Sequence, residues 1–204
     1  MNWVSIAKRM RESGVSVVPI PKMWIDPDNK DYKYPWKKYQ TDPMTSAEVE
    51  KEFARAEGIA IVCGQVSGNL LVIDFDSIPK YDRWGAEVLE VFPELFERLV
   101  IESSPTGRHV YIRCSEFDPV PGNQKWASVM RDKKPYCTIE TRGEGGLIFC
   151  YPTPGYKMMQ GKLLDIPTIT FDEFSVLEAL ARSLDEVGAM PLQYKHHPVE
   201  GVPN

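Results

Sequence analysis

The sequence lacks a long hydrophobic run. Its longest apolar stretches, Ile59–Cys63 and Leu70–Ile73, are far shorter than the roughly 18 residues that a membrane helix needs. The first residues, Met1–Ser5, do not follow the charged-then-apolar plan of a signal peptide. We therefore expect a cytoplasmic protein without a membrane partner.

Cysteine is scarce, at four residues, and no two cysteines stand at the CxxC spacing of a zinc site. Cys63, Cys114, Cys137 and Cys150 each lie in an apolar, strand-like stretch. Free cysteine in such a stretch usually packs as a small hydrophobic side chain. We expect buried free thiols and no zinc.

A surplus of positive charge is also missing. The formal net charge of −5 argues against a general surface for polyanions, so any contact with nucleic acid has to be local. Positive residues cluster in two places: Lys30, Lys33, Lys37 and Lys38, and Lys125, Arg131, Lys133 and Lys134. A solvated charged face explains either cluster alone equally well.

What is present is the composition of an ordinary globular protein, with 204 residues, of which 43% are hydrophobic and 26% charged. This length fits one large domain or two closely packed lobes. The hydrophobic periodicity predicts interspersed helices and strands, and therefore a mixed α+β fold. The predicted helices are 3–13, 45–56 with a capping box at Thr45–Glu48, 80–97 and 171–184.

The predicted strands include two hairpins. One joins 99–102 to 109–113, and the other joins 136–141 to 147–151 through a glycine-rich turn. The further predicted strands are 15–20, a pair at 59–63 and 69–75, and a short strand at 126–130. Segment 21–44 is predicted as a long ordered loop anchored by Trp24, Trp36 and Tyr39, and 186–204 as a tail or linker.

The sharpest chemical feature is the strand Leu70–Phe75, which ends in Asp74-Phe75-Asp76. Residues i and i+2 of a strand share a face, so the two carboxylates repel each other unless a cation lies between them. Oxygen-only ligands suit Mg²⁺ or Mn²⁺. The alternative is a solvated acidic turn in which Ser77 caps the next helix.

Two further segments carry polar groups that suit a phosphate or a metal. Ser103–Tyr111 is a turn of small and hydroxyl residues followed by Arg108 and His109, which offers donors to phosphate oxygens. Tyr136–Gly146 contains Glu140, which would complete a metal site with Asp74 and Asp76. Arg142 would either neutralise phosphate or pair with an acid, and Glu144 is expected to face solvent.

The order and spacing of these features resemble the primase-polymerase (prim-pol) domains of the archaeo-eukaryotic primase superfamily. In that family motif I is a hydrophobic strand ending in DxD, motif II a small-residue turn leading to His, and motif III an acid on a strand. The corresponding residues are Asp74 and Asp76, Ser104–His109, and Glu140. Segments 33–40, 58–68 and 151–153 are also similar to the family, so the resemblance covers about residues 1–185 as one catalytic domain.

The resemblance implies an N-terminal α/β lobe fused to a catalytic lobe with an RRM-like antiparallel sheet. It implies two Mg²⁺ or Mn²⁺ ions held by Asp74, Asp76 and Glu140, with His109 as a further catalytic residue. The residues expected to bind the nucleotide are Ser104, Thr106, Gly107, Arg108, His109 and Arg142.

The expected activity is template-directed nucleotidyl transfer, by a DNA primase, a DNA polymerase or both, on single-stranded DNA with dNTPs or NTPs. Helicase, primase C-terminal or CRISPR-associated domains are expected partners in a prokaryotic, plasmid or phage context. Lys33, Lys37, Lys38, Lys125 and Lys133 are candidates for template phosphates. Trp36, Tyr39 or Trp126 would stack on unpaired bases, although a core position is the alternative for each.

Three other functions compete with this one. A phosphatase of the haloacid dehalogenase type shares the DxD strand, but the chain has no later DD pair. A rolling-circle nickase would need a His-hydrophobe-His motif, which His196-His197 does not supply. The alternative kept open is a non-catalytic module with the prim-pol fold that binds nucleotides or single-stranded DNA.

Overall fold

The computed structural model describes residues 1–29 and 32–188. Six helices are found there: α1 (Trp3–Glu12), α2 (Lys22–Ile25), α3 (Ser46–Glu52), α4 (Ile78–Val91), α5 (Pro93–Arg98) and α6 (Phe171–Arg182). The strands of the same residues are β1 (Ser16–Pro21), β2 (Ala56–Val62), β3 (Leu70–Phe75), β4 (Val100–Ser103), β5 (Arg108–Cys114), β6 (Lys125–Arg131), β7 (Lys134–Arg142), β8 (Leu147–Cys150), β9 (Lys157–Gln160) and β10 (Thr168–Ile169). None of the described helices combines the length and hydropathy that a membrane span requires.

The strands form two sheets, so the predicted mixed α+β fold is confirmed. The smaller sheet has the antiparallel order β1-β2-β8. The larger has the order β6-β7-β3-β5-β4-β9, antiparallel throughout, with β10 added in parallel to the end of β5. Its four central strands, β7-β3-β5-β4, have helices α4 and α5 between β3 and β4, which is the expected RRM-like arrangement.

Strand β3 lies between two hydrophobic cores. Its residues are all buried, as expected for a nearly continuous apolar run. Leu70 and Val72 pack in the core shared with the smaller sheet, whereas Ile73 and Phe75 pack in the core that contains Trp84 of α4. The two faces of one strand therefore join both cores.

Helix ends follow the local sequence. Thr45 Oγ1 accepts the N–H of Glu48, and the Glu48 carboxylate accepts the N–H of Thr45, so the predicted capping box is confirmed. A second capping box, between Thr170 and Glu173, begins α6. The segment predicted as a 21–44 loop instead contains α2 and two short 3₁₀ turns in its described part.

Two predicted strand pairings are wrong. Strand β7 pairs with β6 and β3, whereas β8 pairs with β2 in the other sheet, so 136–141 and 147–151 do not form a hairpin. In the segment between them, Gly143 approaches the carbonyl of Pro121 so closely that a Cβ would lie 1.8 Å from its oxygen. Strands β2 and β3 likewise belong to different sheets, and Gly64, two residues after β2, forms an isolated bridge with Leu70.

The prediction of buried free thiols is confirmed for three of the four cysteines. Cys63, Cys114 and Cys150 are buried and free, whereas Cys137 is free and only half-buried. Burial raises the pKa of the Cys63 and Cys150 thiols. Residues 189–204 of the predicted tail lie outside the described part of the chain. At the start of that tail, the Glu186 N–H donates to the Ser128 carbonyl of β6 at 3.0 Å.

Candidate functional site

Three carboxylates meet at one end of strand β3. Asp74 is directly opposite Glu140 of β7, and Asp76 follows the strand, with its N–H donating to the Thr138 carbonyl at 2.9 Å. One oxygen atom from each of Asp74, Asp76 and Glu140 lies within 4.8 Å of the other two. The predicted convergence of these three acids is therefore present in the fold.

The acids belong to a row of charged residues that crosses the sheet. On neighbouring strands, Lys125 is in register with Glu140, Glu140 with Asp74, Asp74 with His109, and His109 with Glu102. Residues directly opposite one another in a sheet project from the same face and interact. The row thus places two positive side chains among three negative ones, and we call it the charged row.

Arg142 balances the acids at the centre of the row. It lies two residues beyond Glu140 on β7, and its Nη2 donates to Glu140 and, at 3.5 Å, to Asp74 Oδ2. Burial raises the pKa of Glu140, and the nearby Arg142 guanidinium partly opposes this. Pairing with acids, one of the two roles considered for Arg142, is present in this structure.

His109 is buried between two carboxylates. Its Nδ1 lies 2.8 Å from Glu102 Oε1, and its Nε2 lies 3.4 Å from Asp74 Oδ1. Burial alone would lower the pKa of His109, but the hydrogen bonds and charges of Asp74 and Glu102 outweigh it and raise the pKa to about 9. The two carboxylates therefore favour the protonated imidazole.

Glu102 was missed by the sequence analysis. Its carboxylate is 0% exposed and accepts from the Tyr111 hydroxyl at 2.5 Å and from the Tyr151 N–H at 2.9 Å, in addition to His109. A signal was available, since the confirmed hairpin of β4 and β5 pairs Glu102 with His109. An acid that follows an apolar strand run and faces a histidine is a candidate partner for it.

The turn between β4 and β5 packs against the end of β3. Thr106 Oγ1 donates to Asp76 Oδ1 at 3.0 Å, whereas Ser104 Oγ accepts the Gly107 N–H at 3.0 Å. A Cβ on Gly107 would lie 1.6 Å from the Phe75 carbonyl oxygen, so the close approach requires glycine. Ser104 and Gly107 thus shape the turn, and Thr106 orients an acid.

Two arginines of the larger sheet keep buried donors without acceptors: Arg142 beside the acids, and Arg108 on the opposite face of the sheet, in register with Phe75. Arg108 Nη1 donates to the Gly107 carbonyl at 2.8 Å, and its guanidinium lies 5.7 Å from the centre of the Tyr81 ring. Within residues 1–29 and 32–188, the buried Nε atoms of Arg108 and Arg142 have no hydrogen-bond partner. Buried polar groups are normally satisfied, so these two N–H groups are exceptions.

The lysines predicted to contact template differ in their surroundings. Lys125 belongs to the charged row, and Lys133 is exposed in the turn between β6 and β7. Lys33 and Lys37 are exposed, whereas Lys38 pairs with Glu48 at 3.2 Å. Lys30 lies outside the described residues.

The predicted aromatic contacts with bases are restricted by burial. Tyr39 and Trp126 are 3% exposed, which corrects the idea that either stacks on an unpaired base, while Trp36 is half-buried. Glu144, expected to face solvent, instead accepts the Gln65 N–H at 2.7 Å. The Gln40 side chain donates to the Gly145 carbonyl at 3.0 Å, so segment 37–40 contacts the glycine-rich turn after β7.

Comparison with known proteins finds no match, either to a protein-family model or to a curated protein.

Proposed function

We propose that the protein is a metal-dependent nucleotidyltransferase of the prim-pol type, a DNA primase, a DNA polymerase or both. It would join dNTPs or NTPs on single-stranded DNA in the cytoplasm, alone or with helicase, primase C-terminal or CRISPR-associated domains. The observation that carries the proposal is the meeting of three acids with a buried histidine and with Arg142, which keeps an unpaired donor. Nucleotidyl transfer needs both an oxygen-rich site for divalent ions and a cationic site for a triphosphate.

The acids fit hard divalent cations. Three carboxylate oxygens lie within 4.8 Å of one another, and the cluster contains no cysteine. Asp74, Asp76 and Glu140 would hold two Mg²⁺ or Mn²⁺ ions. Such ions, when bound, lower the pKa of a primer 3′-hydroxyl and stabilise the charge of leaving pyrophosphate.

The cationic side chains next to the acids would bind the triphosphate. His109 presents Nε2 on the side of Asp74, and Arg142 contacts Asp74 and Glu140. Arg108, also expected to bind the nucleotide, is in register with Phe75 and faces Tyr81 on the other side of the sheet. Guanidinium groups suit phosphate because several N–H donors point in fixed directions. Thr106 would keep Asp76 in place through its hydroxyl.

The ribbon formed by β6 and β7 would guide the DNA strand toward the acids. Glu140 and Lys125 lie at its sheet end, and Arg131, Lys133 and Tyr136 lie at its exposed tip. The Arg131 guanidinium stacks 3.8 Å from the centre of the Tyr136 ring. Alternating cationic and aromatic side chains suit the phosphates and bases of a single strand.

The test is nucleotide incorporation on a single-stranded template with Mg²⁺ or Mn²⁺, in primed and unprimed reactions, with dNTPs and NTPs. We expect product from the wild type and none from the double variant Asp74→Ala, Asp76→Ala. Product in the unprimed reaction identifies a primase. Product that forms only in the primed reaction identifies a polymerase.

The matched control is Asp82→Ala, which removes an exposed acid from α4 and should leave incorporation unchanged. Incorporation that survives the double substitution would overturn the assignment of the acids. A wild type that binds single-stranded DNA but incorporates nothing under any metal or nucleotide would favour the non-catalytic binding module.

A further inference from the structure

Glu102 forms the buried end of the charged row. It is fully enclosed, and three donors converge on its carboxylate: His109 Nδ1 and the Tyr111 hydroxyl from β5, and the Tyr151 N–H that follows β8. Enclosing a carboxylate costs free energy unless its oxygens are fully hydrogen-bonded. Here each oxygen has at least one donor.

These bonds decide which nitrogen of His109 faces the acids. A carboxylate can only accept, so Nδ1 carries the proton that is shared with Glu102. The opposite nitrogen, Nε2, then points toward Asp74 at 3.4 Å. The rings of Tyr111 and Tyr156, with centres 6.2 Å and 5.8 Å from that of His109, pack on the imidazole and restrict its rotation.

We propose that Glu102 is a positioning residue, which fixes the His109 ring so that Nε2 is the nitrogen presented to a nucleotide phosphate beside the acids. Glu102 itself would not touch the nucleotide, because it is enclosed behind the histidine. This inference rests on the proposed function for the identity of the ligand, but the orientation of the ring does not depend on it.

An amide at position 102 would not reproduce the arrangement. In Glu102→Gln, one oxygen still accepts from His109 or Tyr111, but the NH₂ group replaces the oxygen that accepts the Tyr151 N–H. Two donors would then face each other in a buried place, so the side chain must turn and release His109.

The first measurement is ¹⁵N-edited NMR of histidine side chains in the metal-free protein, which has three histidines. We expect the wild type to show one far-downfield, slowly exchanging Nδ1 proton from His109. It should disappear in Glu102→Gln and persist in Tyr111→Phe, which removes a different bond to the same carboxylate. A wild-type spectrum without this proton overturns the inference, even if the variant fails to fold.

The second measurement is the dissociation constant for dATP in the presence of Ca²⁺, by calorimetry. We expect Glu102→Gln to raise it about tenfold, by analogy with the loss seen when the partner that orients a metal-binding histidine is removed. Glu178→Gln is the matched control, because Glu178 is also a buried glutamate but pairs with Arg182 on α6.

A merely structural Glu102 would behave as Glu178 does, with a lower melting temperature and unchanged dATP affinity, and this result would overturn the inference. The same is true if the Nδ1 proton persists in Glu102→Gln. Failure of the proposed function has a different signature, which is absence of incorporation by a wild type that binds dATP normally. A wild type that does not bind dATP overturns both.

Discussion

Arg142 is placed between two residues that are also the proposed ligands of a metal. Its guanidinium contacts Asp74 and Glu140, and the three side chains are 29%, 9% and 19% exposed. Removing it leaves two neighbouring carboxylates without that positive charge in a partly buried place. A bound cation would restore the balance, so Arg142 and divalent ions compensate for each other.

We predict that Arg142→Met lowers the free energy of unfolding in EDTA by about 1–3 kcal/mol, less than the loss of one partner of a fully buried ion pair. Mn²⁺ should then raise the melting temperature more in the variant than in the wild type, because the ion binds the folded state. Thermal unfolding with and without Mn²⁺ measures both effects.

Arg182→Met provides the comparison, since Arg182 pairs with Glu178 at 2.6 Å and is not part of the charged row. It should lower stability without changing the response to Mn²⁺. An equal Mn²⁺ response in Arg142→Met and the wild type would mean that Arg142 does not substitute for a cation.

At this residue scale, the site residues that could be predicted are those marked by a local sequence pattern. Asp74 and Asp76 end a strong apolar strand, and Glu140 lies on another predicted strand. Glu102 depends on a cross-strand partner, and Tyr156 approaches His109 through a loop after β8. Contacts of this kind follow from tertiary packing, which periodicity does not encode.

Among the elements, the ribbon of β6 and β7 forms an arm whose sheet end contains Glu140 and whose tip is exposed. Its turn holds Asp132 and Lys133 with positive φ, and Tyr136 is 40% exposed. If the arm binds single-stranded DNA, charge and stacking should leave different signatures. Lys133 would contact phosphate, whereas Tyr136 would stack on a base.

We predict that Lys133→Ala weakens DNA binding and reduces the slope of log affinity against log salt by about 0.7, the value for one phosphate contact on a single strand. Tyr136→Ala should weaken binding by about 1–3 kcal/mol with an unchanged slope. Fluorescence anisotropy of a labelled oligonucleotide across a salt series measures both. Lys51→Ala, which removes an exposed lysine from α3, should change neither the affinity nor the salt slope. Equal effects of all three variants would exclude the arm as a binding surface.

The start of α3 gives a prediction about pH. The Thr45 N–H at 2.8 Å, the Thr45 hydroxyl and Lys38 lower the pKa of Glu48 to about 2. A lowered pKa contributes stability above the unfolded value of about 4.5, and this contribution is lost as the pH falls toward 2.

Glu48→Gln keeps an acceptor for Thr45 but loses the charge. We expect it to be less stable than the wild type at pH 7, with the difference shrinking as the pH falls below 4.5 and vanishing near pH 2. Urea unfolding at a series of pH values measures this. A constant difference would show that the charge is not responsible, and Glu94→Gln in α5 serves as a control acid.

The elements also show where sequence prediction stops. The existence of β2, β3, β7 and β8 followed from apolar runs bounded by glycines, yet their pairings differed from expectation. A glycine-rich turn suits a hairpin and a change of sheet equally well. Gly143 contacts the backbone of Pro121, which lies 22 residues earlier in the chain, and a local pattern does not reveal such a contact.

At the scale of the whole molecule, the charged row depends on the position of β3. Val72 packs in the core shared with the smaller sheet, and Ile73 packs in the core under the helices. Both are 0% exposed. Disordering either core would leave one face of β3 exposed, so the two lobes should not unfold separately.

We therefore predict one cooperative unfolding transition, with coincident curves from far-UV circular dichroism and tryptophan fluorescence. Val72→Ala and Ile73→Ala should each destabilise this single transition by about 2–4 kcal/mol, the range for truncation of buried aliphatic side chains. Two separate transitions, with Val72→Ala shifting one and Ile73→Ala the other, would contradict the coupling. The acids would then be held by one lobe alone, since Asp74, Glu140, His109 and Glu102 all belong to the larger sheet.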